Sequence, residues 1–187
     1  MSWNEEIKKT LAECGSEVFI GEGVKIFNPH LVKLGDRVRI DPYTIITSGL
    51  TTGRNVQICA HAILGGGEDN MIHMGDWTFI GYGSQLFCGS EDYSGNHGPV
   101  NDFWGHNKVW HGDIIFEDYS GIASQCMVFP KVTLPVGCTV GAQSMVRKSS
   151  DLFKWMIHRG SPAKPWRDRN KDRILELAND ESFIKNR

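Results

Sequence analysis

Several patterns that would assign a chain quickly are missing. Five cysteines, Cys14, Cys59, Cys88, Cys126 and Cys138, form an odd set with no C-x-x-C pair and no zinc-ribbon spacing. This argues against a disulfide framework or a structural zinc site and leaves them as small buried residues in a reducing compartment. No apolar run approaches the roughly 20 residues that cross a bilayer. Met1-Ser2-Trp3-Asn4-Glu5-Glu6 likewise lacks a basic stretch followed by an apolar one. The expectation is a cytoplasmic protein with no membrane insertion. Charge of one sign is lacking too: 20 Lys and Arg against 22 Asp and Glu leave a formal charge of −2. No global field favours nucleic acid, and an anionic ligand must be met by a local basic cluster. No serine or cysteine stands in a recognisable nucleophile elbow.

What is present is length, apolar content and a repeat. A chain of 187 residues with 40% hydrophobic content can bury the core of one domain. Ser2 and Glu5 make a capping box, and Trp3, Ile7 and Leu11 follow at helical spacing, which predicts a capping helix over 1–15 that stops near Gly15. The pattern then changes. Apolar residues recur every sixth position as Ile20 and Ile26, then Leu34, Ile40, Ile46, Thr52, Ile58 and Leu64, then Met74, Ile80 and Leu86. After a long break they return as Phe116, Ile122, Val128, Leu134, Val140 and Val146.

Two residues before many of these stands a second small or β-branched residue, as at Val18, Val24, Val38, Val56, Ile72, Cys126 and Cys138. Residues i and i−2 share a face in a strand. In a helix a six-residue step turns about 240°, which smears the ladder around the axis. Short strands that turn every six residues fit, whereas a β-sandwich would space its strands at roughly 8 to 12 residues. Glycine follows the ladder residue at Gly21, Gly35, Gly53, Gly65, Gly75, Gly81 and Gly141, and is read as supplying permissive backbone at the corners. Three edges per turn make a triangular prism.

This register, with [LIV]-G at one phase from about Val18 to Val146, resembles the hexapeptide-repeat acyltransferase superfamily. The resemblance implies an all-β fold, a left-handed parallel β-helix over 16–149 with an inserted loop at 87–113. A C-terminal turn and helix over 150–187, including Ile174, Leu175, Leu177 and Phe183, completes it. The loop, FCGSEDYSGNHGPVNDFWGHNKVWHGD, has no residue in ladder phase and is rich in aromatics, which argues for function over a solvated linker. Ser90-Glu91-Asp92-Tyr93-Ser94-Gly95 is similar to the S-D-D-Y-S-G loop of a subgroup that modifies sugars and polysaccharides, with Glu91 in place of the first Asp.

Acyl transfer from a thioester requires the attacking hydroxyl or amine to lose a proton, which a group titrating near neutrality does best. His97 is taken as the base and Asp92 as the carboxylate that orients it or binds substrate. Glu91 or Asp92 acting directly is the next reading, and a solvent-facing loop histidine is the plain alternative for His97. His61 and His73 lie in the body of the repeat and read as structural or substrate-facing.

Beyond the ladder, Arg159-Gly160-Ser161-Pro162-Ala163-Lys164-Pro165-Trp166-Arg167-Asp168-Arg169 looks like the superfamily's G-x-P-A-K terminus beside acyl-CoA. Lys164, Arg167 and Arg169 offer a basic cluster for the CoA phosphates. Gly121, Ala123, Ser124, Gly141 and Ala142 are small enough for a pantetheine arm to lie along a coil wall, and they equally suit tight corners. The resemblance further implies acetyl-CoA as co-substrate, a sugar or nucleotide-sugar acceptor, no metal, and a homotrimer with sites between subunits. Two other readings remain at this point. His106 and His111 show an H-x4-H spacing, as in β-helical carbonic anhydrases, and the coils could serve a non-catalytic trimer.

Overall fold

The computed structural model describes residues 3–94, 96 and 108–180. Helix α1 (Trp3–Lys8) opens the chain and ends well before Gly15. The amide of Ala12 already donates to the carbonyls of Pro29 and Val32, which commits the chain to the first coil.

That coil comprises β1 (Glu13–Cys14), β2 (Phe19–Ile20) and β3 (Lys25–Ile26). The second holds β4 (Val32–Leu34), β5 (Arg39–Ile40) and β6 (Ile45–Ile46), and the third β7 (Gly49–Thr52), β8 (Gln57–Ile58) and β9 (Ile63–Gly65). The fourth is β10 (Met71–Met74), β11 (Phe79–Ile80) and β12 (Gln85–Phe87), after which β13 (Gly89–Glu91) and β14 (Val109–His111) form an antiparallel hairpin outside the coil. Winding resumes with β15 (Ile114–Phe116), β16 (Gly121–Ile122) and β17 (Met127–Val128), then β18 (Thr133–Leu134), β19 (Thr139–Val140) and β20 (Met145–Val146). A partial last coil gives β21 (Met156–Arg159), against which β22 (Lys164–Asp168) folds back antiparallel. Helix α2 (Lys171–Asn179) follows, its first turn capped by the Asn170 side chain, which accepts from the Arg173 amide at 3.2 Å.

Successive coils pair in parallel to give three sheets, so the chain is a parallel β-helix of three faces. Amides of one coil donate to carbonyls of the next, as from Arg39 to Val56 and from Asp41 to Ile58, both at 2.8 Å. Each ladder residue stacks on its counterpart: Ile20, Ile40, Ile58, Ile80, Ile122 and Val140 form one inward column, and all are buried. The i−2 residues Val18, Val38, Val56, Cys126 and Cys138 are buried beside such columns. Each coil therefore protects the apolar surface of its neighbours, and stability is shared between nearest neighbours.

Two details depart from the sequence reading. The slips in the ladder, between Ile26 and Leu34, Leu64 and Met74, and Leu86 and Phe116, all fall at the corner joining the third face to the first, so insertions are confined to one edge. The glycines that follow ladder residues are also not needed for backbone freedom. Positive φ is carried at the turns chiefly by non-glycine residues such as Arg37, Tyr43, Asn55, Trp77 and Gln125. Gly21, Gly35 and Gly81 are required instead by contact between coils. A Cβ on Gly21 would lie 2.5 Å from the Pro42 nitrogen, and one on Gly81 2.5 Å from the Ser124 nitrogen.

Four cysteines are buried and unpaired, as expected, but Cys14 is exposed on the first coil. Among the described residues no helix is long and apolar enough to cross a membrane.

Candidate functional site

Cys88 fills the last inward position of the fourth coil, and the chain then leaves the prism. Gly89, Ser90 and Glu91 lie opposite His111, Trp110 and Val109, and the ladder extends through the Asp92 amide to the Lys108 carbonyl at 2.8 Å. The Gly112 amide donates to the Cys88 carbonyl at 2.9 Å and closes the neck of the excursion. A hydrogen-bonded pair of strands thus carries Ser90, Glu91 and Asp92 outward from the coil wall.

Between this hairpin and the coils that follow lies a cleft of about 540 Å³. The hairpin side contributes Ser90, Glu91, Asp92 and Trp110, and the coil side contributes Phe129, Lys131, Met145, Arg147 and Lys148. Asp92 is buried, and its Oδ1 accepts from the Ser94 amide at 2.9 Å, a turn that fixes the carboxylate. Tyr93 is 80% exposed. Lys131 owes its course to a missing side chain, since a Cβ on Gly112 would collide with the Lys131 Cγ. The Lys108 ammonium lies 4.5 Å from the centroid of the Trp110 ring on the hairpin. The cleft therefore sets two carboxylates against three cations, with aromatic and thioether walls between them.

His97 and His106 lie outside the described residues, as do Ser2, Phe103, Trp104 and Phe183. His111 is described, and its Nδ1 is 3.3 Å from the Asn70 amide nitrogen. His61 stacks on Tyr43 with ring centroids 5.4 Å apart, and His73 has Nδ1 2.8 Å from the Thr51 hydroxyl and Nε2 3.8 Å from Asp113. Both remain on the coil wall, outside the lining of the cleft. Among the described residues no group of three His, Cys, Asp or Glu side chains could hold a metal ion.

The C-terminal string forms a second locus. The Gly160 amide donates to the Ser144 hydroxyl at 2.9 Å and the Ala163 amide to the Met145 carbonyl at 2.8 Å, which binds the turn to β20. Lys164 and Arg167 are exposed on β22. Arg169 does not join them. Its guanidinium donates to the backbone carbonyls of Tyr119 and Gly137, and burial pulls its pKa below the usual arginine value. Pairing of β21 with β22 instead places Arg159 level with Lys164. Arg159 opens the string in the sequence, but its place in the cluster depends on a strand pairing that the hexad register does not announce.

The small residues separate as well. Ala123 and Ser124 stack under Gly141 and Ala142 at the corner between the second and third faces, joined by the bond from the Gln143 amide to the Ser124 carbonyl at 3.0 Å. Gly121 lies under the Phe79 ring, which a Cβ there would strike. A Cβ on Gly141 would meet its nearest atoms at 3.5 Å, an ordinary contact. Gly121 thus serves internal packing, whereas Gly141 leaves the corner flat without the fold requiring it.

No family model matches the chain. A dTDP-4-amino-4,6-dideoxy-D-glucose acyltransferase from Escherichia coli is 28% identical over 95% of this chain and 93% of its own length. AntD, an N-acyltransferase from Bacillus cereus, is 32% identical with a TM-score of 0.86; its complex with dTDP and 3-hydroxybutyryl-CoA covers 100% of this chain and is itself 96% covered. The S84C mutant of AntD has also been solved with dTDP-4-amino-4,6-dideoxyglucose and coenzyme A. A maltose O-acetyltransferase from Clostridium difficile 630 shares the fold at 12% identity, with a TM-score of 0.59 over 89% of this chain and 74% of its own. These findings favour acyl transfer over the carbonic-anhydrase and non-catalytic readings. The chain belongs to the family of CoA-dependent sugar acyltransferases that includes AntD, with its six-residue repeats wound as a parallel β-helix.

Proposed function

We propose that the protein transfers an acetyl group from acetyl-CoA to the amine of a nucleotide-linked amino sugar, with a dTDP-linked 4-amino sugar as the first acceptor to test. The observation that carries this reading is the cleft, where Asp92 and Glu91 face Lys131, Arg147 and Lys148 across about 540 Å³. An amino sugar joined to a nucleoside diphosphate presents the complementary pair, a cationic or hydrogen-bonding amine at one end and a diphosphate at the other. The full-length similarity to AntD, whose structures hold dTDP ligands, supports the same substrate class.

In the proposed reaction the free amine attacks the thioester carbonyl, a C–N bond forms, and the C–S bond of the tetrahedral intermediate breaks. His97 takes the amine proton, with Asp92 orienting the imidazole or the amine, and the leaving CoA sulfur is protonated as it departs. If His97 is dispensable, Asp92 or Glu91 is the base. Alignment of two bound substrates supplies much of the rate.

Lys164 and Arg167 are proposed to meet the CoA phosphates, with the pantetheine arm along Ala123, Ser124, Gly141 and Ala142. In one chain this wall and the hairpin cleft lie on different corners of the prism. That supports a homotrimer in which the thioester on one copy meets the acceptor in the cleft of another. The buried unpaired cysteines support a reducing, cytoplasmic setting.

The test is a matrix of dTDP- and UDP-linked amino sugars and their hydroxyl counterparts against acetyl-CoA and 3-hydroxybutyryl-CoA, read as released thiol. Turnover restricted to amino sugars is expected. Preference for a hydroxyl acceptor would overturn the N-acyl assignment, and preference for the longer thioester would overturn acetyl as the donor group.

A further inference from the structure

Trp166 is the extra residue of a β-bulge. Ile157 is level with Arg167 and His158 with Pro165, so Trp166 has no partner across the β21–β22 ladder. A bulge turns a side chain out of the strict alternation of a strand. The indole is 45% exposed, and two guanidinium groups are seated on it, Arg159 Cζ at 4.1 Å and Arg167 Cζ at 4.3 Å from the ring centroid. Lys164 is the cross-strand neighbour of Arg159. Among the described residues no carboxylate pairs with any of these three cations.

Like charges gathered without a counter-anion repel one another, and the ring offsets only part of that cost. An aromatic plane also restricts two long side chains that would otherwise sample many rotamers. The outcome is a pair of forked donors, already ordered, beside a third cation. A terminal phosphate monoester suits this better than an internal diphosphate, because it presents three oxygens and carries about 1.5 to 2 negative charges at neutral pH.

We propose that Trp166 is a positioning residue that holds Arg159 and Arg167 as a guanidinium clamp for the 3′-phosphate of the CoA co-substrate. The proposal rests on the reading that the β21–β22 hairpin faces CoA, and it adds that the clamp discriminates CoA from its dephosphorylated form.

Isothermal titration of the full chain with CoA and with 3′-dephospho-CoA tests both parts. The expected result is binding of CoA on the order of tenfold tighter than dephospho-CoA. Trp166→Leu should remove that preference by weakening CoA alone, and Trp166→Phe, which keeps an aromatic face, should retain most of it. A residue that only staples the hairpin would lower the thermal midpoint without changing the ratio of the two affinities. If Trp166→Leu does not fold, the Arg159→Gln/Arg167→Gln double variant makes the same comparison. Equal affinity of the unsubstituted chain for both compounds, or equal loss for both in the variant, overturns the clamp while leaving CoA binding intact. Failure to bind either compound overturns the CoA reading itself.

Discussion

His158 stands on Val140 in the inward column of the second face, with its Nδ1 3.4 Å from the Cys138 sulfur. It ends the apolar ladder with a buried imidazole, and the Phe153 amide donates to its Nε2 at 3.1 Å. That bond leaves Nδ1 to carry the proton of the neutral ring. Burial lowers the His158 pKa from its usual 6.5 and pushes the Cys138 thiol up to about 12, so both groups are neutral.

Because the folded pKa of His158 lies below the unfolded one, the unfolded chain takes up the proton first as pH falls. Its contribution is complete above about 6.5 and is lost as pH falls through the depressed folded value. The thermal midpoint should therefore drop between about pH 7.5 and pH 5, and His158→Leu should flatten part of that slope. An unchanged slope in the variant would remove His158 from the account.

Two glycines at equivalent corner positions should behave oppositely. Gly81→Ala places a Cβ 2.5 Å from the Ser124 nitrogen, and backbone cannot move aside cheaply. A loss of about 1–3 kcal/mol is expected in denaturant titration. Gly141→Ala meets nothing closer than 3.5 Å and should stay within about 0.5 kcal/mol of the parent. On the proposed pantetheine wall its methyl should nevertheless raise the KM for acyl-CoA, by about threefold to tenfold. Unaltered KM would take Gly141 out of the wall.

Gly112→Ala displaces the stem of Lys131, and with it one cation of the cleft. The KM for a nucleotide-linked acceptor should rise roughly tenfold, with little change in the KM for acyl-CoA. Lys131→Met should reproduce the effect. If both variants alter acyl-CoA binding instead, Lys131 serves the donor.

His97→Ala is expected to abolish acyl transfer while CoA binding, measured by thermal shift, persists. Asp92→Asn keeps a side chain able to accept from the Ser94 amide and removes the charge, with an expected loss of about 10²–10⁴ in kcat. Turnover retained in His97→Ala but lost in Asp92→Asn would transfer the base role to the carboxylate.

Thiol labelling of the native protein should reach Cys14 and leave Cys88 and Cys138 unmodified until unfolding. Both of the latter are buried, with pKa values pushed up to about 12. Rapid labelling of either would show that the coil opens locally near it.

The cleft was legible in the sequence only as a break. The stretch from Phe87 to Asp113 leaves the hexad phase, which located the hairpin, and Asp92 proved to be buried beside the cleft. The opposite wall could not be read that way. Lys131, Arg147 and Lys148 are ordinary corner and end-of-ladder cations in the sequence, and they line the same cleft as Asp92 only because the hairpin leaves the prism beside later coils. Arg169 and Arg159 exchanged places for a related reason: carbonyls of Tyr119 and Gly137, 50 and 32 residues away, capture one, and a bulged hairpin recruits the other.

What the sequence determined by itself is the coil. A side chain that must face inward every sixth residue leaves its mark at every turn, and the same burial rule applies to each repeat independently. Contacts between coils and outside the repeat belong to the tertiary structure alone. The steric demand on Gly81, the seating of Phe79 on Gly121 and the end-cap of His158 over Cys138 join residues about 20 to 43 positions apart. No local period encodes such a distance, because it is set by how many residues each corner inserts before the next coil closes.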